Sequence, residues 1–160
     1  MLKKITVAAI LLISIASCKT KDAFNYSQDF VKKETSLLAD ITATEDNVTR
    51  YVSAEQYDSI AVAGERMEKL VEVKLQEVKK APAPDVKEGE NFKEACIKYF
   101  QYIKSMYTGY KEFGLAPTDT ERQAVQQRIM ELSRNKQAAI TAMQTAQKKF
   151  ADANGFRIEK

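Results

Sequence analysis

The sequence predicts an all-α fold, an antiparallel four-helix bundle wound up-down-up-down with a long C-terminal helix. Three observations carry that prediction. Only five glycines and three prolines occur in 160 residues, against abundant Ala, Lys, Glu and Gln, a balance that suits long helices better than a sheet with many turns. Apolar residues recur at alternating spacings of four and three, and the breakers gather between those runs. With 44% apolar and 29% charged residues, a chain of this length makes one domain able to bury a core.

The first helix is expected from Ser27 to Val48, with Phe30, Leu37, Ile41 and Val48 on one face, interrupted by Glu34 and Thr44. Its junction with the second, around "NVTRYVS", reads equally as a tight turn or a kink, and a continuous passage there would give a long three-helix arrangement. The second helix starts at Ser53, which with Gln56 has the spacing of a capping box, and its stripe runs Tyr57, Ile60, Gly64, Met67, Val71, Lys74 and Val78. The small residues "AVAG" at 61–64 would let a neighbouring helix approach closely.

"KAPAPDVKEGE" then forms an extended connection, because prolines alternating with alanine cannot continue a helix. Asn91 with Glu94 caps the third helix, which carries Phe92, Cys96, Tyr99, Ile103, Met106, Tyr110 and Phe113. Gly114 is expected to take the left-handed position that ends it, with Leu115 making the accompanying apolar contact and Pro117 beyond. Thr118 and Glu121 cap the fourth helix, whose stripe is Val125, Ile129, Leu132, Ala139, Met143, Ala146 and Phe150. Asn154 and Gly155 end it, and Phe156 folds back. At roughly 35 residues it would reach about 50 Å, so it overhangs its neighbours or bends.

The N-terminus has a different character. Lys3 and Lys4 precede a 12-residue apolar stretch from Ile5 to Ala16, followed by the small residues Ala16 and Ser17 and by Cys18. That is the layout of a secretory signal, and at about 1.5 Å per residue the stretch reaches only about 18 Å, short of a ~30 Å hydrocarbon core. "Ile15-Ala16-Ser17-Cys18" resembles the lipobox of bacterial lipoproteins. The resemblance implies removal of residues 1–17, a diacylglyceryl thioether on the Cys18 sulfur and a further acyl chain, such as palmitate, on its amine. With at least two lipid signals, such a group would hold the chain to a membrane. Residues 18–26 are expected to be the lipidated N-terminus and a short flexible tether, and 27–160 the single bundle domain. Lys19 directly after the cysteine resembles the outer-membrane sorting pattern, which implies the outer membrane of a bacterial envelope and leaves periplasmic face or cell surface open. The tail "AQKKFADANGFRIEK" resembles the ends of small uncharacterised envelope and surface lipoproteins, and carries no activity or site residue across.

Removing Lys3 and Lys4 takes the chain from 25 basic and 22 acidic side chains to 23 and 22, so the net charge falls from +3 to +1. No basic stripe for nucleic acid remains. With no histidine, the usual base for Ser or Cys nucleophiles and the usual zinc and di-iron ligands are missing, so no catalytic residue, metal site or cofactor is expected and the chain reads as non-enzymatic. The reactive-thiol candidate is Cys96, if a hairpin of the last two helices brings Lys136 beside it; the competing reading makes Cys96 a small buried hydrophobe. Seven of the fourteen aromatics fall between Phe92 and Phe113, and Phe100, Tyr102 and Tyr107 lie beside the main stripe. They are either a partner surface or the wide apolar face of a central helix. The expectation is therefore a non-catalytic, lipid-anchored envelope protein with a structural or protein-interaction role, binding the membrane through Cys18 and an envelope protein partner. A carrier of a small apolar ligand and a surface adhesin or antigen are the alternatives.

Overall fold

The structure is a computed structural model that describes the backbone over residues 2–158 and the side chains over 18–158; the signal segment expected at 1–17 lies outside the residues whose side chains are described. The described chain is an all-helical bundle with no strand. Its helices are α1 (Leu2–Thr35), α2 (Leu38–Ser53), α3 (Tyr57–Lys80), α4 (Gly89–Leu115), α5 (Asp119–Arg134) and α6 (Lys136–Asn154).

The expected first helix is divided between α1 and α2. At the break, Thr35 Oγ1 donates to the Val31 carbonyl at 2.8 Å and Ser36 Oγ to the Lys33 carbonyl at 2.7 Å, while the Leu37 amide tightens onto Glu34 O. Two successive hydroxyls competing for carbonyls bend a helix without reversing the chain. The reversal comes later, at 54–56, where Glu55 is left-handed (φ 53°) and the Gln56 amide reaches back to Tyr51 O at 2.9 Å. The "NVTRYVS" junction thus resolves as a tight turn. The capping box expected of Ser53 and Gln56 does not form: Ser53 Oγ donates to Thr49 O instead.

α3 and α4 run antiparallel and pack most closely. Gly64 lies against the backbone of α4, where an added Cβ would come within 2.5 Å of the Lys111 amide nitrogen and 2.9 Å of the Tyr107 carbonyl oxygen. Gly114 corrects a sequence expectation. It is a buried residue inside α4, not a left-handed terminator, and a Cβ there would run into the Ala61 amide and the Tyr57 carbonyl. Leu115, expected to pack, is 64% exposed. The close approach explains both: two glycines, one on each helix, let the backbones touch.

α4 begins at Gly89, behind a left-handed Glu88 (φ 60°), two residues before the expected cap. Asn91 therefore sits in the first turn, its amide donating to Glu88 Oε2 at 2.8 Å. Thr118 does cap α5 in partnership with Glu121: its Oγ1 accepts from the Glu121 amide at 3.3 Å and donates to the Glu121 carboxylate at 2.6 Å. The C-terminal stop also forms: Gly155 is left-handed (φ 71°) and the Phe156 amide bonds Ala151 O at 3.2 Å. The long C-terminal helix is interrupted at Asn135, a poor helix former whose amide is shared between Glu131 O and Leu132 O.

The core joins Phe30 and Leu37, Met67 and Val71 from α3, Phe92, Cys96, Phe100 and Tyr107 from α4, and Met143 and Phe150 from α6. Phe92 stacks on Phe150 with centroids 4.9 Å apart and meets Phe30 edge-on at 5.7 Å.

Candidate functional site

Cys18 lies in α1 and is exposed, as are Lys19, Lys21 and Asp22. The residues that follow are not a loose tether. They are helical, Ala23 is fully buried, Ser27 is 1% exposed, and Tyr26 packs edge-on against Phe92 at 6.0 Å and Phe150 at 6.3 Å. The expectation of a flexible 18–26 segment is corrected for this reason: its i, i+3/i+4 apolar positions find a partner in α6. Ser27 Oγ accepts from Gln147 Nε2 at 3.1 Å, a buried polar pair between the two helices. At the same end Lys19 Nζ reaches the Asp85 carbonyl at 3.4 Å, and Phe24, 40% exposed, stands edge-on to Phe156 at 5.7 Å.

The aromatic candidates are placed otherwise than a partner surface requires. Phe100 is fully buried and Tyr107 is 3% exposed, so both belong to the core. Tyr102 is half-buried and its hydroxyl donates to the Leu132 carbonyl of α5 at 2.9 Å. The surface expected of Phe100, Tyr102 and Tyr107 is corrected by the position of α4, which packs against α3, α5 and α6 and so needs a wide apolar face. Its most buried large side chains are Phe92 and Cys96, which belong to the expected stripe, and Phe100 and Tyr107, which do not; the stripe residues Tyr99, Met106 and Phe113 flank them half-buried.

Two half-buried tyrosines of α4, Tyr99 and Tyr110, carry polar links that sequence reading missed. Tyr99 Oη donates to Glu34 Oε1 at 2.7 Å and Tyr110 Oη to Glu45 Oε2 at 2.8 Å. Donors and acceptors are each 11 residues apart, so the pairs keep one register along the interface. Glu34, which interrupts the apolar face of the first helix, thus has its carboxylate bonded by a phenol. Burial, and then the neighbouring Glu34, push the Tyr99 phenol far up; burial, and then Glu45, do the same for Tyr110. On the other side of α4, Glu68 of α3 accepts from Thr108 Oγ1 at 2.7 Å and pairs with Lys111. The sequence signal available was the 11-residue recurrence of Glu and Tyr.

Cys96 is 1% exposed, and burial, followed by the Glu34 charge, pushes its thiol strongly up. Of the two readings of Cys96, the buried hydrophobe fits and the thiol lowered by Lys136 does not: the charge that acts on the sulfur is an anion. Among the described residues no group of three acids or cysteines is placed to hold a metal, and no helix is long and apolar enough to cross a membrane. A groove of about 740 Å³ between α1 and α6 is lined by Val31, Gln147, Ala151, Phe156, Arg157 and Ile158 among others. No family model matches the chain, and neither a curated protein nor a solved structure matches it.

Proposed function

We propose that this is a lipid-anchored protein of the bacterial envelope, probing no substrate of its own and acting through structure or protein contact. The observation that carries the reading is "Ile15-Ala16-Ser17-Cys18", with Cys18 exposed at the point where α1 begins to pack. An accessible sulfur there suits enzymatic acylation, whereas the other cysteine is shielded. Outer-membrane placement draws on Lys19, and a non-catalytic role draws on the absence of histidine from the sequence together with the raised Cys96 thiol.

The architecture we infer for the anchored part is up-down-up-down, with α1 and α2 forming one bent rod and α5 and α6 another. Three sets of pairs support it. Glu34–Tyr99 and Glu45–Tyr110 keep a constant offset, as parallel diagonal partners would. Gly64 meeting Lys111, and Gly114 meeting Ala61, mark antiparallel neighbours. Gly109 against Ile129 and Phe92 against Phe150 mark another antiparallel pair.

The test is metabolic labelling of a bacterium producing the full chain with an alkyne-tagged palmitate, followed by mass analysis of the N-terminal peptide. The expected outcome is labelled protein beginning at Cys18, with label lost and precursor retained in Cys18→Ser. A mature chain that starts elsewhere, or an unmodified Cys18, overturns the reading. Crosslinking in intact cells then addresses the envelope partner. The ligand-carrier alternative is favoured by one observation, the groove of about 740 Å³ between α1 and α6, which lies within the size range of small-molecule sites.

A further inference from the structure

The packed state of residues 18–26 has a geometric consequence for an anchored chain. A lipid on Cys18 would be joined to the bundle through a helix, so the distance from anchor to domain is set by helical rise instead of by a flexible tether. Phe24 is six residues beyond Cys18, about 9 Å along the axis, whereas the headgroup layer on one side of a bilayer is roughly 5–8 Å thick. An upright α1 would hold Phe24 just above that layer. A modest tilt toward α6 would lower it in.

The groups on that side suit the interface. Phe24 is 40% and Ile158 37% exposed, two of the large apolar side chains the fold leaves uncovered. Phe24 rests on Phe156, which shares a groove wall with Arg157 and Ile158. Around them the exposed charges are Lys19, Lys21 and Arg157 against Asp22. In the adjoining loop Asp85, Lys87 and Glu88 nearly cancel, and Lys148 is paired with Asp152. Aromatic and aliphatic groups beside Lys and Arg stems are the composition that settles at an anionic lipid surface, with the apolar tips in the acyl boundary and the cations among the phosphates.

We propose that the edge formed by the start of α1 and the end of α6 is a docking surface for an anionic phospholipid bilayer, so that the bundle lies against its membrane by Phe24 and Ile158. This rests on the lipid-anchor reading of Cys18 and adds an orientation to it.

The sequence contains no tryptophan, which makes a single-reporter experiment direct. Lipidated full-length Phe24→Trp is reconstituted in vesicles of phosphatidylcholine and phosphatidylglycerol with brominated acyl chains, and compared with Val62→Trp. Val62 is 66% exposed near the start of α3, about 27 Å by helical rise from the end of α3 that adjoins the Lys19 contact. The expected result is a blue-shifted and several-fold more strongly quenched indole at position 24, with position 62 unquenched. Adding Lys21→Glu and Arg157→Glu to the Phe24→Trp chain should reduce the quenching while flotation with the vesicles persists. Protein that floats with a lipidated Cys18, yet shows position 24 no more quenched than position 62, overturns the docking surface and leaves the anchor standing. An unmodified Cys18 removes the anchor; quenching at position 24 would then show the surface acting alone, and failure to float would overturn both.

Discussion

Cys96 shares the space between α1 and α3 with Tyr26, Phe30 and Val78, and burial, followed by the Glu34 charge, disfavours its thiolate. Alkylation in native buffer at pH 8 should therefore proceed at the rate of global opening, and unfolding in denaturant should restore ordinary reactivity; fast native labelling would contradict the burial. Phe100 is the sharper test of core against surface. Phe100→Ala should cost about 3–5 kcal/mol, read by denaturant unfolding, because a large ring is removed from a site with no solvent access. A loss under 1 kcal/mol would mean that the ring faces solvent. At this scale residue types were legible in the sequence and their surroundings were not. Phe100 and Tyr99 are adjacent, and only the angular position of α4 decides which of them is core and which reaches a carboxylate.

The α3–α4 pair shows what element-level reading catches and misses. Close approach at 61–64 was readable from "AVAG", since small residues remove the side chains that normally space two helices. Gly114 was not readable in that sense, because a glycine followed by Leu-Ala-Pro has the local pattern of a helix stop and its partner lies more than fifty residues away. Gly114→Ala should therefore destabilise by about 1–3 kcal/mol or more through overpacking against backbone that cannot move aside, lowering Tm by several degrees. A true left-handed cap would leave α3 undisturbed, so an unchanged α3–α4 amide-exchange pattern with only local fraying would refute the packing role. The Thr118 cap follows local rules alone, and Thr118→Ala should cost about 1 kcal/mol with fraying confined to the start of α5.

At the scale of the whole molecule the buried acids and phenols set how stability depends on pH. The Cys96 thiol and the Tyr99, Tyr107 and Tyr110 phenols are raised, in each case first by burial and then by a neighbouring carboxylate, and Tyr26 is pushed up to about 12 by burial and then Cys96. A raised acid favours folding while it stays protonated. Stability from these groups is complete below about pH 8.5, where an unfolded thiol begins to ionise, and is lost progressively as pH climbs past the phenol range near 10. Helical signal during thermal melts should show a marked fall in Tm between pH 8 and 10.5. On the acid side Glu68 is lowered: burial opposes its ionisation, but hydrogen bonds from Lys111 and Thr108 outweigh that, so its contribution is present above about 4.5 and lost as pH falls below it. A chain whose Tm is flat from pH 8 to 10.5 would show that these phenols are solvated. The sequence by itself determined the helical class, the turns at 81–88 and 116–118, the Thr118 and Gly155 ends and most of the α3 stripe, because capping and periodicity act within a few residues. Tertiary structure alone decided that 18–26 packs as helix, that Gly114 is a contact and not a stop, and that Glu34 and Glu45 answer Tyr99 and Tyr110. Each of those depends on a partner dozens of residues distant, and local spacing carries no information about which distant side chain will fill the space opposite.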